Sequence, residues 1–254
     1  MKQTFLAILL MLLPMMASAD AVEIDGIWYN LVQKAKEAEV TSNPNGSKYS
    51  GSIEIPASVT YNDIKYSVTS IGESSFWQNS DLTSVTIPNN VTSIGDHAFQ
   101  YCSSLTSVTI PDGVNSIGQN AFYGTAWYNN QPDGLVYAGK IAYNYKGEMP
   151  ANTKITIKDG TLGITSYAFS DCFNLTSVII PNSMICIGEY AFSSCSGLTS
   201  IVVESGNQKY DSRNSCNAII ETSSNTLILG CMNTIIPNSV TSIGSGAFNE
   251  CNGL

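Results

Sequence analysis

The sequence predicts a repeat solenoid, a stack of coils with a parallel β-sheet on one face and short helical or 3₁₀ turns on the other. The main observation is a 23-residue unit whose apolar positions keep one phase. No single copy has enough apolar residues for its own core, so neighbouring copies must stack. The unit is intact in four copies, expanded to 47 residues in one and incomplete in the last: 68–90, 91–113, 114–160, 161–183, 184–206 and 240–254.

Two positions of the unit hold the same residue in every copy, and a third is nearly constant. We expect these side chains to form ladders through the core, one rung per coil. Isoleucine stands fourth: Ile71, Ile94, Ile117, Ile164, Ile187 and Ile243. Phenylalanine stands ninth: Phe76, Phe99, Phe122, Phe169, Phe192 and Phe248. Leucine stands fifteenth, with tyrosine in the expanded copy: Leu82, Leu105, Tyr128, Leu175, Leu198 and Leu254.

The strand of each coil is predicted at the segment LTSVTIP. Its β-branched residues favour extended backbone, and its Leu, Val and Ile alternate toward the interior. Proline ends the strand because it has no N–H to donate. We count about seven such strands between Ile53 and Pro237, which predicts a parallel sheet roughly 35 Å long. The Ser/Asp-rich stretch around the Ala-Phe pair predicts the short helical or 3₁₀ turn.

The full pattern, L-x-x-V-x-I-P-x-x-V-x-x-I-G-x-x-A-F-x-x-C-x-x-L, resembles the leucine-rich repeats of BspA-like bacterial surface proteins over residues 68–254. The resemblance implies a leucine-rich repeat fold and a non-catalytic protein that is exported and adheres to host or neighbouring-cell proteins. Four positions depart from the pattern: Thr165 replaces the Gly, Ser75 the Ala, and Asn79 and Thr125 the Cys. They weaken single coils and leave the assignment intact.

Residues 1–19 have the features of a secretory signal peptide. Lys2 precedes an apolar run over residues 5–13, and Ala17-Ser18-Ala19 matches an A-x-A cleavage site. The run is shorter than the roughly 20 residues that a membrane span needs. We therefore expect an exported protein in the extracellular space or on the outer cell surface, with no membrane span in the mature chain.

Residues 20–67 lack the repeat phase and predict a β-rich N-terminal cap built from hairpins. One hairpin is predicted within residues 26–40, and a second turns at Asn62-Asp63. A solenoid needs such a cap over its open end. The aromatic residues here are expected to pack over the first coil, with a binding patch as the alternative: Trp28, Tyr29, Tyr61 and Tyr66.

An insertion at about 123–150 expands the third copy. It predicts a hairpin that turns near Gly139-Lys140. Insertions in repeat arrays often form the binding face, and Tyr and Trp are enriched at interaction hot spots. The alternative is that these rings seal the edge of the insertion. The candidate partner-binding residues are Trp127, Tyr128, Tyr137, Tyr143 and Tyr145.

A second insertion, at about 207–232, holds two of the seven cysteines. If Ser223-Ser224 forms a two-residue turn, Cys216 and Cys231 face each other across a hairpin, and a disulfide is possible in an exported protein. Four further cysteines share the twelfth repeat position and are expected to form a buried ladder of unreactive thiols: Cys102, Cys172, Cys195 and Cys251.

Catalytic and metal-binding patterns are not found. The chain has one histidine, His97, at a repeat position that varies freely and is therefore expected at the surface. No C-x-x-C, H-E-x-x-H, P-loop or Rossmann fingerprint occurs, and we predict neither an enzyme nor a cofactor. The formal net charge of −9 argues against nucleic acid as a partner.

Two functions remain at this stage. The first is a non-catalytic adhesion or binding module whose partner is a protein or glycan on host or neighbouring cells. The alternative is a structural spacer in a longer envelope protein with no ligand of its own. The chain stops within a repeat at Leu254, and an uncapped sheet edge would favour self-association.

Overall fold

The computed structural model describes residues 21–249 and Cys251. The predicted signal peptide, its cleavage site and the leucine position at Leu254 lie outside these residues. In the described part, one short helix, α1 (Ala126–Asn129), and one 3₁₀ turn (Arg213–Ser215) accompany the strands. The strands are β1 (Val22–Ile24), β2 (Ile27–Val32), β3 (Glu37–Thr41), β4 (Gly51–Glu54), β5 (Ser58–Tyr61), β6 (Ile64–Ile71), β7 (Leu82–Thr86), β8 (Ser93–Ile94), β9 (Ser107–Thr109), β10 (Ser116–Ile117), β11 (Gly134–Ala138), β12 (Ile141–Lys146), β13 (Thr153–Thr156), β14 (Gly163–Ile164), β15 (Leu175–Ile180), β16 (Cys186–Ile187), β17 (Ser200–Val203), β18 (Tyr210–Asp211), β19 (Ala218–Glu221), β20 (Thr226–Gly230) and β21 (Ser242–Ile243).

Each regular coil contributes strands to two parallel sheets. The predicted LTSVTI segments pair in register, so that Val85 of β7 lies beside Val108 of β9. A second, two-residue strand follows in each coil at the conserved isoleucine, and Ile94 of β8 lies between Ile71 and Ile117. The parallel sheet predicted from the repeat is confirmed, and the second sheet was not predicted because two residues give no periodic signal.

The first sheet is shorter than predicted, because the third copy interrupts it. It is divided into β4-β7-β9 and β13-β15-β17. Helix α1 stands where the third copy would place its strand, so β9 has no following neighbour. The predicted strand that ends at Pro237 is absent from the described structure, and Ile235 and Ile236 of that segment are exposed. The insertions thus interrupt the sheet, which we had predicted to be continuous from the number of repeats.

The turn side of each coil is a series of tight turns, some closed by bonds from residue i+3 to residue i, rather than the short helical or 3₁₀ turn that we predicted. Positions seven and eleven have positive φ, as in His97 (56°) and Tyr101 (61°), and this left-handed conformation interrupts a helix. Alternate N–H groups bond within the turn and to the next coil. Tyr101 donates to the Tyr123 carbonyl at 2.8 Å, and Gln100 donates to the His97 carbonyl at 3.1 Å. This turn ladder, as we call it, links successive coils as a sheet does.

The ladder of phenylalanines at position nine forms the centre of the core. Phe99 is fully buried, and its ring stacks on Phe76 and Phe122 at centroid distances of 4.9 and 5.4 Å with interplanar angles of 5° and 3°. Phe169 and Phe192 stack at 4.9 Å in the second array. The predicted stacking of identical side chains is confirmed for these rings.

Residues 22–71 form the expected hairpins at the start of the array. Strands β2 and β3 pair antiparallel, and β3 then pairs parallel with β6. Strands β5 and β6 turn at Asn62 and Asp63 as predicted, with φ of 48° and 61°, the conformation of a type I′ turn. Tyr29 and Tyr66 are buried, whereas Tyr61 is exposed. The capping role of this segment stays a prediction.

Candidate binding surfaces

Two of the five aromatic candidates in the first insertion are buried, which corrects their assignment to a partner surface. Tyr128 is 8% exposed and Tyr143 is 3% exposed. The hydroxyl of Tyr143 accepts the backbone N–H of Phe122 at 2.9 Å, and the Tyr128 hydroxyl donates to Asn144 Oδ1 at 2.6 Å. Burial raises the pKa of both phenols, above all of Tyr143. These rings seal the insertion, which is the alternative that the sequence had left open.

The other three candidates are half-buried. Trp127 packs against Phe122 with ring centroids 5.0 Å apart. The Tyr137 hydroxyl accepts the backbone N–H of Lys158 at 3.0 Å. Tyr145 lies on β12, whose hairpin with β11 turns at Gly139-Lys140 as predicted. These three rings keep some exposed surface, so a role in binding stays a prediction for them.

Larger exposed rings occur on the turn ladder, where the sequence analysis did not place them. Five aromatic side chains at positions seven, ten and eleven are 38 to 48% exposed: Trp77, Tyr101, Tyr123, Tyr167 and Tyr190. The rings of Tyr101 and Tyr123 meet edge to face at 5.8 Å, and those of Tyr167 and Tyr190 stack at 5.5 Å. We call this set the turn-face aromatics. The residue type varies at each of these positions, so no periodic signal marks them.

The first three turn-face aromatics lie in a part of the chain without basic residues. No Lys or Arg occurs between Lys65 and Lys140, whereas five acidic residues do: Glu73, Asp81, Asp96, Asp112 and Asp133. At the start of this array the Lys48 ammonium lies 5.5 Å from the Trp77 ring centroid and donates to the Trp77 carbonyl at 2.8 Å. A cation over a ring face is attracted by its quadrupole. The side chain of Lys48 thus makes one such cation–ring contact on this surface.

The predicted disulfide loses its geometric basis. Strands β19 and β20 form the expected hairpin, but a β-bulge at Ile228 shifts the register by one residue, so Ala218 pairs with Gly230. In this register Cys231 is next to Asn217, and its Sγ donates to the Asn217 carbonyl at 3.3 Å. Cys216 and Cys231 are both buried free thiols. The bulge was not visible in the sequence, where the two cysteines are symmetric about Ser223-Ser224.

The remaining titratable side chains show no catalytic arrangement that we can identify in the described chain. Three of the four ladder cysteines, Cys102, Cys172 and Cys195, are buried as predicted, whereas Cys251 is half-buried. Burial raises the pKa of the Cys102 and Cys172 thiols to about 11. His97 is half-buried and not the surface residue we expected, because its turn position brings Nδ1 inside without a partner in the described residues. Residues 21–249 and Cys251 contain no group of three or more His, Cys, Asp or Glu that could hold a metal ion. None of the described helices is long and apolar enough to cross a membrane.

The coils, the ladders and the paired turns define a leucine-rich repeat protein. The family described as the BspA type leucine rich repeat region matches in six copies, over residues 51–131, 142–227 and 228–254. These ranges make up about three quarters of the sequence, and the chain belongs to this family. The match begins at β4, the first strand of the parallel array.

Several solved bacterial proteins are similar to this chain. A leucine-rich repeat protein from Bacteroides ovatus is 33% identical, over 71% of this chain and 46% of its own, with a TM-score of 0.44. A leucine rich cell surface protein from Faecalibacterium prausnitzii is 25% identical, over 92% and 69%, with a TM-score of 0.41. The leucine rich repeat protein of T. pallidum is 21% identical, over 92% and 90%, also with a TM-score of 0.41. The chain spans less than half of the Bacteroides protein. No curated protein matches it significantly.

Proposed function

We propose that this chain is an exported, non-catalytic protein that binds other proteins at the cell surface and so mediates adhesion. The observation that carries the proposal is the set of turn-face aromatics. Rings of Trp and Tyr bury large areas on binding at a low cost in side-chain entropy. Here they recur from coil to coil on a rigid ladder of hydrogen-bonded turns, so their positions are fixed before a partner arrives.

The charges around these rings favour a partner with exposed Lys or Arg. The array between Lys65 and Lys140 is acidic, and Glu73 and Asp96 are exposed on the same turns as Trp77 and Tyr101. A basic side chain can contact a ring face and a carboxylate together, which is the arrangement that Lys48 makes in part with Trp77. The partner surface is therefore basic, and its affinity should fall with ionic strength.

Binding of the secreted chain to immobilised host extracellular-matrix proteins, mucins, glycans and bacterial envelope fractions tests this proposal. The test variant is Tyr101→Ser with Tyr123→Ser, which removes two exposed rings, and circular dichroism checks its fold because the Tyr123 ring lies 6.5 Å from that of the buried Tyr128. The matched control is Phe173→Ser, since Phe173 is also an exposed aromatic residue but lies outside the turn-face set. We expect a saturable protein hit that weakens at least tenfold in the double variant and stays within twofold in the control.

A third variant separates the turn face from the first insertion. Trp127→Ala combined with Tyr145→Ala removes two of the three half-buried rings of that insertion and leaves Tyr137 in place. If only this variant loses binding, the insertion is the interface and the turn face is not. If a well-folded chain binds none of the immobilised proteins, glycans or envelope fractions, the adhesion proposal fails and the spacer role takes its place.

Export carries a separate test, because it depends on residues 1–19. We expect expression in a bacterial host with a secretion pathway to give a mature chain that begins at Asp20. N-terminal sequencing of the exported protein measures this directly. A full-length chain kept in the cytoplasm would rule out the surface role.

A further inference from the structure

The two insertions carry hairpins that occupy equivalent places in the stack. Ala142 of β12 pairs with Ile164 of the next coil, and Leu227 of β20 pairs with Ile243 of its next coil. Both isoleucines stand at position four of the repeat. Three residues beyond each pairing, a backbone N–H donates to the alanine carbonyl at position eight of that coil, from Tyr145 to Ala168 and from Gly230 to Ala247, both at 2.8 Å. The second hairpin can therefore be compared with the first residue by residue.

Each hairpin replaces the turn that would continue the turn ladder. In a regular coil the N–H at position nine donates to the next coil, as Phe99 does to the Ala121 carbonyl at 2.7 Å. The coil before each hairpin has no such turn to donate to, which leaves the N–H groups of Phe122 and Phe192 without their usual acceptor. A buried N–H without an acceptor is costly.

The first hairpin resolves this with a tyrosine. Tyr143 is the bulge residue of β12, and its hydroxyl accepts the Phe122 N–H at 2.9 Å. Its ring lies 5.7 Å from the Phe122 ring and 5.7 Å from the Tyr128 ring, and Trp127 fills the remaining space beside Phe122. The gap between coil and hairpin is closed by aromatic side chains.

The second hairpin has an isoleucine at the equivalent position and leaves the gap open. Ile228 is the bulge residue of β20, as Tyr143 is of β12. Within the described residues no acceptor is bonded to the N–H of Phe192. A cleft of about 450 Å³ opens here, lined by Phe192, Ile187, Leu198, Tyr210, Ile228 and Leu229 among others. Its volume is within the range of ligand-binding cavities.

We propose that this cleft binds a tyrosine side chain presented by a partner polypeptide, with the phenol oxygen accepting the Phe192 N–H and the ring packing on the Phe192 ring. The chain itself supplies the template, since Tyr143 holds this place in the first hairpin. The cleft adjoins the turn face, since Tyr190 of that set also lines it. The proposal goes beyond the turn-face aromatics because it concerns a buried N–H donor and a partner's phenol rather than exposed rings that contact a basic surface.

A polypeptide suits the cleft better than a free phenol for a reason visible in the preceding coil. There the N–H groups of Tyr167 and Asp171, which flank Phe169, donate to the backbone carbonyls of Glu189 and Ser193 at 3.3 and 3.0 Å. The equivalent N–H groups of Tyr190 and Ser194 have no bonded acceptor among the described residues, and neither do those of Asn120 and Gly124 before the first hairpin. A peptide that carries the tyrosine brings carbonyl groups for these two donors, and a free phenol does not.

The test titrates the full mature chain with the blocked peptide Ac-Gly-Tyr-Gly-NH₂, and follows the amide resonance of Phe192 by NMR. The matched probe is Ac-Gly-Phe-Gly-NH₂, which lacks only the hydroxyl. We expect saturable binding of the tyrosine peptide with a shift of the Phe192 amide, and binding about tenfold weaker for the phenylalanine peptide, the value of one hydrogen bond. Equal binding of the two peptides, or none, overturns the proposal. If p-cresol binds and the tyrosine peptide does not, the ligand of the cleft is a free phenol, and the assignment to a partner polypeptide is wrong.

Variants locate the site independently. Ile228→Tyr copies the first hairpin and is expected to abolish peptide binding and to raise the melting temperature. Ile235→Tyr adds the same side chain at an exposed position outside the cleft and should leave binding unchanged. Full binding by a folded Ile228→Tyr chain overturns the location. Should that variant not fold, the Phe192 amide shift in the unaltered chain decides the same question, and its absence at peptide saturation overturns the proposal.

Discussion

Removal of one ring from the phenylalanine ladder should cost more in the middle of the array than at its interrupted end. Phe99 has a stacked ring on each side, at 4.9 and 5.4 Å, and is fully buried. Phe192 has one stacked ring, Phe169, and the cleft on its other side. We expect Phe99→Ala to lower the free energy of unfolding by about 4 kcal/mol. Phe192→Ala should cost about 1 to 2 kcal/mol less, because it loses one aromatic pair and adjoins an existing cavity.

Urea unfolding followed by far-UV circular dichroism measures both variants against the unaltered chain, with Phe99→Leu as the control that keeps most of the volume and loses the ring. We expect Phe99→Leu to cost about 1 to 2 kcal/mol. Repeat proteins can unfold in more than one step, and Phe99 and Phe192 lie on either side of the first insertion. If two transitions are seen, each variant is therefore compared with the unaltered chain at the midpoint of each transition. Equal costs for Phe99→Ala and Phe192→Ala would refute the reasoning from ring neighbours.

Three further predictions concern a turn, a buried hydroxyl and the thiols. Gly124→Ala should lower the free energy of unfolding by about 1 to 2 kcal/mol, and the melting temperature with it, because φ is +75° and the added Cβ would lie 2.7 Å from Tyr101 Cδ1. An unchanged melting curve contradicts this. Tyr143→Phe should cost about 1 to 3 kcal/mol in urea unfolding, since it leaves the Phe122 N–H without an acceptor; a cost near zero means that water takes over that hydrogen bond. Burial raises the pKa of the Cys102 thiol from 9.0 to about 11, so the unfolded chain loses this proton first. The contribution of this thiol to the free energy of unfolding should be fully present below pH 9 and be lost as the pH rises toward 11. Cys102→Ala should make this decline less steep in thermal melts recorded at each pH.

The repeat phase predicted most of the fold because its signal lies in side chains that must meet. Within each uninterrupted array the phenylalanine packs on its own copy in the next coil, as Phe76 does on Phe99. The insertions end this stacking, and after the second insertion the ladder isoleucine Ile243 is 53% exposed and not buried as expected. The hairpins at Asn62-Asp63 and Gly139-Lys140 were predictable for another reason. Asn, Asp and Gly tolerate positive φ, so they mark tight turns in a single sequence.

The turn ladder could not be predicted in this way, because backbone hydrogen bonds hold it. Positions seven and eleven need a left-handed conformation, yet Tyr167, Tyr190 and Asp171 adopt it as Ser74 and His97 do. The pairing of alternate N–H groups with the next coil outweighs the local cost of positive φ, which is about 1 kcal/mol for a residue that is not glycine. Residue type is therefore free to vary there, and the turn-face aromatics were missed for this reason.

At the two insertions, the unpaired backbone N–H groups indicate the open site better than the residue types do. In the sequence the first insertion is rich in aromatic residues and the second holds one, Tyr210, which pointed to the first as the binding face. In the structure two of these rings, Tyr128 and Tyr143, are buried. The hairpin replaces a turn and so removes the usual acceptor of the Phe122 N–H, and the Tyr143 hydroxyl supplies one instead. The second hairpin has Ile228 at the same place and leaves the Phe192 N–H open to a cleft. The insertion with fewer aromatic residues is thus the one that has room for an aromatic residue of another chain.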